Sequence, residues 1–366
     1  MLLDTRSNRL FAYNDTAGFA WELIEAGRSI EDLAAAFEQA WGIPPARARA
    51  DLDAILAQWR SEGLIAGAER GPALPESQPA LAVATNPAAP AQWAAEWICT
   101  IGGMPMSFAL ETELPSVRLL LGHLATPDAR PQTRIEIRGN VSTGAVLMRD
   151  GVQRMRTSDP SLLGGGLWHA VLEAIHPNVR WRALLHGAAL ARDGIGLALA
   201  GPSGSGKTTL AAGLVSRGFD YLSDDAVPIT EPDGAVVPWP LPLSIKPGSL
   251  ELLETRFPEL ARAPTYSTKG IEARLLIPAA AVWDAPAVKL RALIFPRFIA
   301  GSAPQRRPLS PFEALQNLLI DRVWLGYPIT EARVTSFLDW LDGTPAHAIT
   351  YGTLDDAVQL VERVIA

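Results

Sequence analysis

The octet Gly201-Pro202-Ser203-Gly204-Ser205-Gly206-Lys207-Thr208 constrains this chain more than any other stretch. It fits the pattern Gly-x-x-x-x-Gly-Lys-Ser/Thr. Its flanks are those the pattern needs: the apolar run Leu197-Ala198-Leu199-Ala200 reads as a strand before it, and Thr208 to Ser216 as a helix after it. Glycines at 201, 204 and 206 let the main chain curl with its N–H groups pointing inward, and the helix adds unpaired N–H groups and the positive end of its dipole. Such a cradle suits the phosphates of ATP. Lys207 reaches the β- and γ-phosphates, and the Thr208 hydroxyl is a ligand for Mg2+. Pro202, Ser203, Ser205 and Thr209 complete the nucleotide-binding stretch. A glycine-rich turn that happens to fit the pattern is the plain alternative, and the strand, the helix and the glycines weigh against it.

Two features bear on whether the site does more than bind. Ser223-Asp224-Asp225 stands 17 and 18 residues after Lys207, at the end of the next expected strand, Tyr221-Leu222-Ser223. Adjacent strands bring their ends together, so these carboxylates are expected to face the phosphates. One can bind magnesium while the other accepts a proton from an incoming hydroxyl. An Asp-Asp turn or helix cap is the plain alternative. His186-Gly187 lies 21 residues before Lys207 and is expected on the strand that feeds the loop, where a single histidine is more often structural.

The chain has 366 residues, enough for two or three domains. Residues 1–65 read as a small unit. Leu2-Leu3-Asp4 and Leu10-Phe11-Ala12-Tyr13 form an expected hairpin, and three helices follow: one capped by Asn14 or Asp15, one opened by a capping box at Ser29, and one started by Pro44-Pro45. Residues 66–92 are rich in Ala and Pro and read as a stiff spacer. In residues 93–366, segments 93–180 hold alternating strands, such as Arg134-Ile135-Glu136-Ile137 and Ala145-Val146-Leu147-Met148, then a helix from Leu162 to Ile175. Residues 181–366 hold the loop and close on a helix from Leu354 to Ile365.

A net charge of −7 gives no general attraction to nucleic acid or anionic lipid. The single cysteine, Cys99, cannot form an internal disulfide and reads as inert core. No stretch approaches the roughly 20 apolar residues that span a bilayer. Met1 to Arg6 lack the basic start and apolar core of a signal peptide, so a cytoplasmic protein is expected.

The segments Leu185-His186-Gly187-Ala188-Ala189-Leu190, the loop, and Ser216-Arg217-Gly218-Phe219 through Ser223-Asp224-Asp225-Ala226-Val227 together resemble the core of bacterial HPr kinase/phosphorylase. There a His-Gly pair, the loop and an Asp-Asp pair occur in this order and spacing. The resemblance implies an α/β P-loop kinase core akin to phosphoenolpyruvate carboxykinase, with His186 and Lys207 in the catalytic pocket. It further implies Thr208 and Asp224 at magnesium and Asp225 as proton acceptor. More loosely, residues 97–366 are similar to HPr-kinase-related proteins of peptide-modification gene clusters. The family's later Leu-Glu-Ile-Arg-Gly-type motif has its nearest match in Leu243-Ser244-Ile245-Lys246-Pro247-Gly248, which has no Glu. The second metal carboxylate and the reverse, phosphate-removing activity are therefore not implied, while Lys246 can still act as a point charge on phosphate. Lys269-Gly270 and Arg274 are weaker candidates of the same kind.

Leu10-Phe11-Ala12-Tyr13-Asn14-Asp15-Thr16-Ala17, Trp21, and Leu56-Ala57-Gln58-Trp59 through Gly63-Leu64-Ile65 are similar to PqqD-like leader-recognition domains, winged-helix-like α+β units that partner enzymes modifying ribosomally made peptides. The resemblance implies that Leu10, Phe11, Ala12 and Tyr13 offer a strand edge to a leader peptide. A winged-helix unit used for dimerisation or for DNA is the plain alternative, and the acidic balance makes DNA the poorer choice. The joint expectation is an ATP- and Mg2+-dependent kinase that phosphorylates a Ser or Thr of a precursor peptide, in the manner of lasso-peptide tailoring, and related kinases are often homo-oligomers. A regulatory HPr-type kinase acting on a carrier protein and a non-catalytic nucleotide switch are the alternatives.

Overall fold

The computed structural model describes residues 2–4, 9–11, 13, 15–62, 64–65, 93–112, 114–140, 144–268, 271–279, 281, 283, 285–321 and 323–365. The chain divides into two compact units, Met1–Pro79 and Ala80–Ala366. The spacer at 66–92, together with Ala12, Asn14, Gly63 and Lys269-Gly270, lies outside the described residues.

In the first unit Leu2–Asp4 pairs antiparallel with Arg9–Phe11. The helices Asp15–Glu25, Ile30–Trp41 and Pro45–Ser61 follow. Ser29 and Asp32 close the capping box reciprocally, and Gly42 ends that helix in the left-handed region at φ 62°. Leu33, Phe37, Leu52, Leu56 and Trp59 recur at helical spacing and form the core. Trp59 meets Trp21 edge to face at 5.1 Å and Tyr13 at 5.6 Å, while the Tyr13 hydroxyl donates to Glu62 at 2.6 Å. Phe11 is buried. The side chains of Phe11 and Tyr13 thus face the unit's own interior.

Among the described residues the second unit is built on three sheets. A five-stranded sheet, from Ala95–Ile101 to Val152–Thr157, packs its apolar face on the helix Pro160–Ile175, which starts two residues earlier than its periodicity suggested. Cys99 is buried in that core, and burial pushes its thiol up to about 12. A ten-stranded mixed sheet carries the loop. Ile195–Ala200, buried almost throughout, pairs in parallel with Val288–Phe298, which pairs in parallel with Ala346–Tyr351. The helices Lys207–Val215 and Leu354–Ile365 cover this region, and Leu210, Leu214, Leu354 and Val358 share one apolar cluster with Leu197 and Leu199. A three-stranded sheet of Leu243–Ile245, Ile271–Leu276 and Thr265–Thr268 stands alongside. No helix among the described residues is long and apolar enough to cross a membrane.

Two sequence expectations about strand placement need correction. His186 is not on the strand that feeds the loop. It sits at the bend between Arg180–Leu185 and Gly187–Arg192, and the latter turns back antiparallel to Ile195–Ala200, pairing Gly187 with Ala200. Nor is Asp220–Ser223 a neighbour of Ile195–Ala200, because Gly187–Arg192 lies between them and is antiparallel to both. Two antiparallel steps restore the direction, so the two outer strands still end at the same edge of the sheet.

Candidate active site

The loop's conformation explains its glycines. Gly201, Gly204 and Gly206 have φ of 124°, 86° and 102°, a region that L side chains rarely adopt. A Cβ on Gly206 would also stand 2.4 Å from the Tyr351 hydroxyl. No side chain caps the helix that begins at Lys207, so its first N–H groups stay open to an anion. Lys207 is buried, and its ammonium donates to the carbonyls of Gly201 and of Pro202 (3.3 Å), holding the charge inside the curl. The Ser205 hydroxyl is buried in the loop with no hydrogen-bond partner among the described residues. A buried, unsatisfied hydroxyl beside a buried ammonium fits a loop that completes its hydrogen bonds on phosphate oxygens. Lys246 is exposed and reaches over the loop, its Nζ 3.4 Å from the Ser203 hydroxyl. Thr209 turns away: its hydroxyl meets that of Ser249 at 2.6 Å, leaving its main chain as its means of touching a nucleotide.

Asp224 and Asp225 occupy different environments although they are neighbours in sequence. Asp224 is 5% exposed and accepts from the Thr208 hydroxyl at 3.2 Å. Burial, then the Asp225 charge, push its carboxyl up to about 7, against the Thr208 hydrogen bond, the Asp225 N–H and the Lys207 ammonium. Asp225 sits at φ 69°, a left-handed conformation uncommon for a residue with a side chain, and its carboxylate is 45% exposed. That twist brings both its carbonyl oxygen and its carboxylate to His186, whose Nδ1 lies 3.0 Å from the first and 3.3 Å from the second.

Thr208 with Asp224 makes a hydroxyl–carboxylate pair beside the phosphate cradle. Magnesium is commonly held by one or two such oxygens together with substrate phosphates, so the residues present fit the ion. Glycine at 187 has a steric cause: a Cβ there would lie 2.2 Å from the Leu199 carbonyl oxygen, a main-chain atom of the loop strand. Gly187→Ala is expected to lower unfolding free energy by about 2 kcal/mol through forced separation of the two strands, checked by denaturant titration.

Phe298 comes to the loop from a place the sequence did not mark, and Ser244 from the stretch it marked for Lys246. Ser244, at the position of the missing Glu, bonds to the Tyr266 hydroxyl at 2.5 Å. Burial raises the Tyr266 pKa against the lowering effect of the Ser244 hydrogen bond, and the charges of Asp225 and Asp224 raise it further. Phe298, 53% exposed, donates its N–H to the Ser205 carbonyl (3.4 Å) from the end of its strand. Arg274 is tied up elsewhere, with Glu254 at 3.0 Å and the Leu260 carbonyl at 2.8 Å.

Comparison with known proteins finds similarities in both units. Residues 1–65 match the family of coenzyme PQQ synthesis protein D (PqqD), so this segment is a PqqD domain. Over 53 residues the chain is 43% identical to HPr kinase/phosphorylase of Clostridium botulinum strain Eklund 17B / Type B, and equally to that of strain Alaska E43 / Type E3. That match covers 14% of this chain and spans 17% of the length of those relatives. The solved Hpr(Ser) kinase/phosphatase of Coxiella burnetii aligns over 50% of this chain and 93% of its own, at 13% identity and a TM-score of 0.24.

Proposed function

We propose that this protein is an ATP- and Mg2+-dependent kinase that phosphorylates a Ser or Thr hydroxyl of a ribosomally made precursor peptide, whose leader is captured by the PqqD domain. The observation that carries the reading is the division between the two aspartates. Asp224 is buried and bonded to Thr208, as a metal ligand would be, and Asp225 is open to an incoming acceptor and held by His186. The bound Mg2+ would supply neutralisation of phosphate charge, with Thr208 and Asp224 holding it.

The chain's own groups then have distinct tasks. The loop N–H groups and Lys207 fix the phosphates and balance the charge that develops during transfer. Asp225 accepts the proton of the acceptor hydroxyl as its oxygen bonds to the γ-phosphorus and the bond to the leaving diphosphate breaks. His186 positions Asp225. Lys246, over the loop, adds a point charge where the Arg of the related motif would give a fork. In the PqqD domain the leader adds as a strand beside the short hairpin, and the spacer at 66–92 raises the local concentration of the acceptor segment.

The test is mass spectrometry of a candidate precursor incubated with the protein, ATP and Mg2+. A gain of one phosphate on a Ser or Thr is expected. No gain with protein shown to bind both ATP and the leader would overturn the reading. Leader affinity of the PqqD domain separates a peptide kinase from one acting on a carrier protein, and turnover separates both from a nucleotide switch.

A further inference from the structure

An apolar cavity of about 760 Å³ opens in the second unit, between the five-stranded and three-stranded sheets. Trp97, Leu110 and Leu119 form one wall, and Pro242, Leu275 and Ile277 form the other. Its volume lies within the range of sites for small apolar groups, roughly 300–1,000 Å³.

The face of the three-stranded sheet connects this cavity to the phosphate site. Leu243 and Ile245 point into the core beneath the loop helix. By alternation Pro242, Ser244 and Lys246 share the opposite face. Ser244 stands opposite Leu275 in the antiparallel register, and it bonds across the sheet to Tyr266. The same face therefore carries, in order, Lys246 over the loop, Ser244 bonded to Tyr266, and then Pro242 and Leu275 in the cavity wall. From Lys246 to Pro242 is about 13 Å at ~3.3 Å per strand residue.

We propose that this cavity is the subsite for an apolar side chain of the acceptor peptide, about two to four residues from the phosphorylated hydroxyl in an extended chain. The inference rests on the peptide-kinase reading and names the sequence that the site selects. A peptide that reaches the loop beneath Lys246 and continues along this strand face passes Ser244 and Tyr266 and then meets the cavity. Arg118, exposed on the cavity lining, forms no ion pair with a described residue, so a carboxylate beside the apolar residue meets a complementary charge.

The test uses the full chain with synthetic peptides that carry one central Ser and either Leu or Gly at those flanking positions. Binding is titrated by calorimetry with Mg-ADP present, and phosphate transfer from ATP is measured in parallel. The Leu peptides are expected to be favoured in kcat/KM by about tenfold or more. Ile277→Asp, at a position 43% exposed and so tolerant of the change, is expected to erase that preference without altering the KM for ATP. Arg118→Glu is expected to invert the preference for an acidic over a basic neighbour. Equal transfer to both peptide sets would overturn the inference and leave the peptide-kinase reading standing. Leu-peptide binding without transfer to any hydroxyl would overturn that reading and the inference with it. A fatty-acid probe that fills the cavity and is not displaced by the Leu peptides would assign it to a lipid, which also overturns the inference.

Discussion

With Asp225 as the proposed general base, Asp225→Asn is expected to lower phosphate transfer by about 10²–10⁴-fold while the KM for ATP stays within about twofold, because a positioned general base is worth that much in rate. The substitution keeps the size of the side chain and removes its ability to accept a proton. The loop, Lys207 and the Thr208–Asp224 pair, which make the proposed nucleotide cradle, keep all their side chains, although Asp224 loses the neighbouring charge that raises its pKa. Single-turnover transfer together with equilibrium ATP binding checks both halves of the statement. Loss of ATP binding in the variant would show that Asp225 belongs to the cradle and would reverse the roles of the two aspartates. His186→Gln should give a smaller loss of transfer, since it removes the group that holds the carboxylate and leaves the base itself in place.

Asp224→Asn has effects of opposite sign on activity and stability. Transfer is expected to fall by about 10²–10³-fold, the scale of losing one charge-stabilising contact in a site of this kind. The Asp224 carboxyl is raised to about 7 in the folded protein from an ordinary value of 3.8, chiefly by burial. The folded state therefore holds a proton that the unfolded chain has already released, and that advantage fades as pH rises from about 4 through about 7. Without metal, the Asn variant should consequently be more stable than the parent at pH 8.5 by a margin on the order of 4 kcal/mol, with a much smaller difference at pH 5. Denaturant unfolding in chelator at the two pH values measures this. A variant less stable than its parent at pH 8.5 would mean that the charged carboxylate is favoured by its surroundings. Metal binding requires the deprotonated form, so Mg2+ affinity of the parent protein should strengthen as pH rises through about 7.

Several parts of the architecture were legible because they rest on local chemistry. The capping box at Ser29 depends on residues three apart, and the closing helix Leu354–Ile365 depends on apolar residues recurring every three or four positions. The phosphate loop belongs to the same class: its glycines, its lysine and the strand and helix around it all fall within one short segment. Arg274 shows the limit. Its charge was visible, but its engagement with Glu254 and the Leu260 carbonyl depends on how two distant segments fold together.

The octet at Gly201–Thr208 and the two aspartates after it were set by the sequence alone, since curl, cradle and charge follow from residue type at fixed spacing. Which aspartate is buried against Thr208 and which is turned to solvent was decided by tertiary structure. So were the place of His186 at a strand bend and the sharing of one sheet face by Lys246, Ser244 and the apolar cavity. The reason is physical: burial, backbone twist and strand register come from contacts between residues far apart in the chain, and a one-residue shift in register would send each of these side chains to the opposite face.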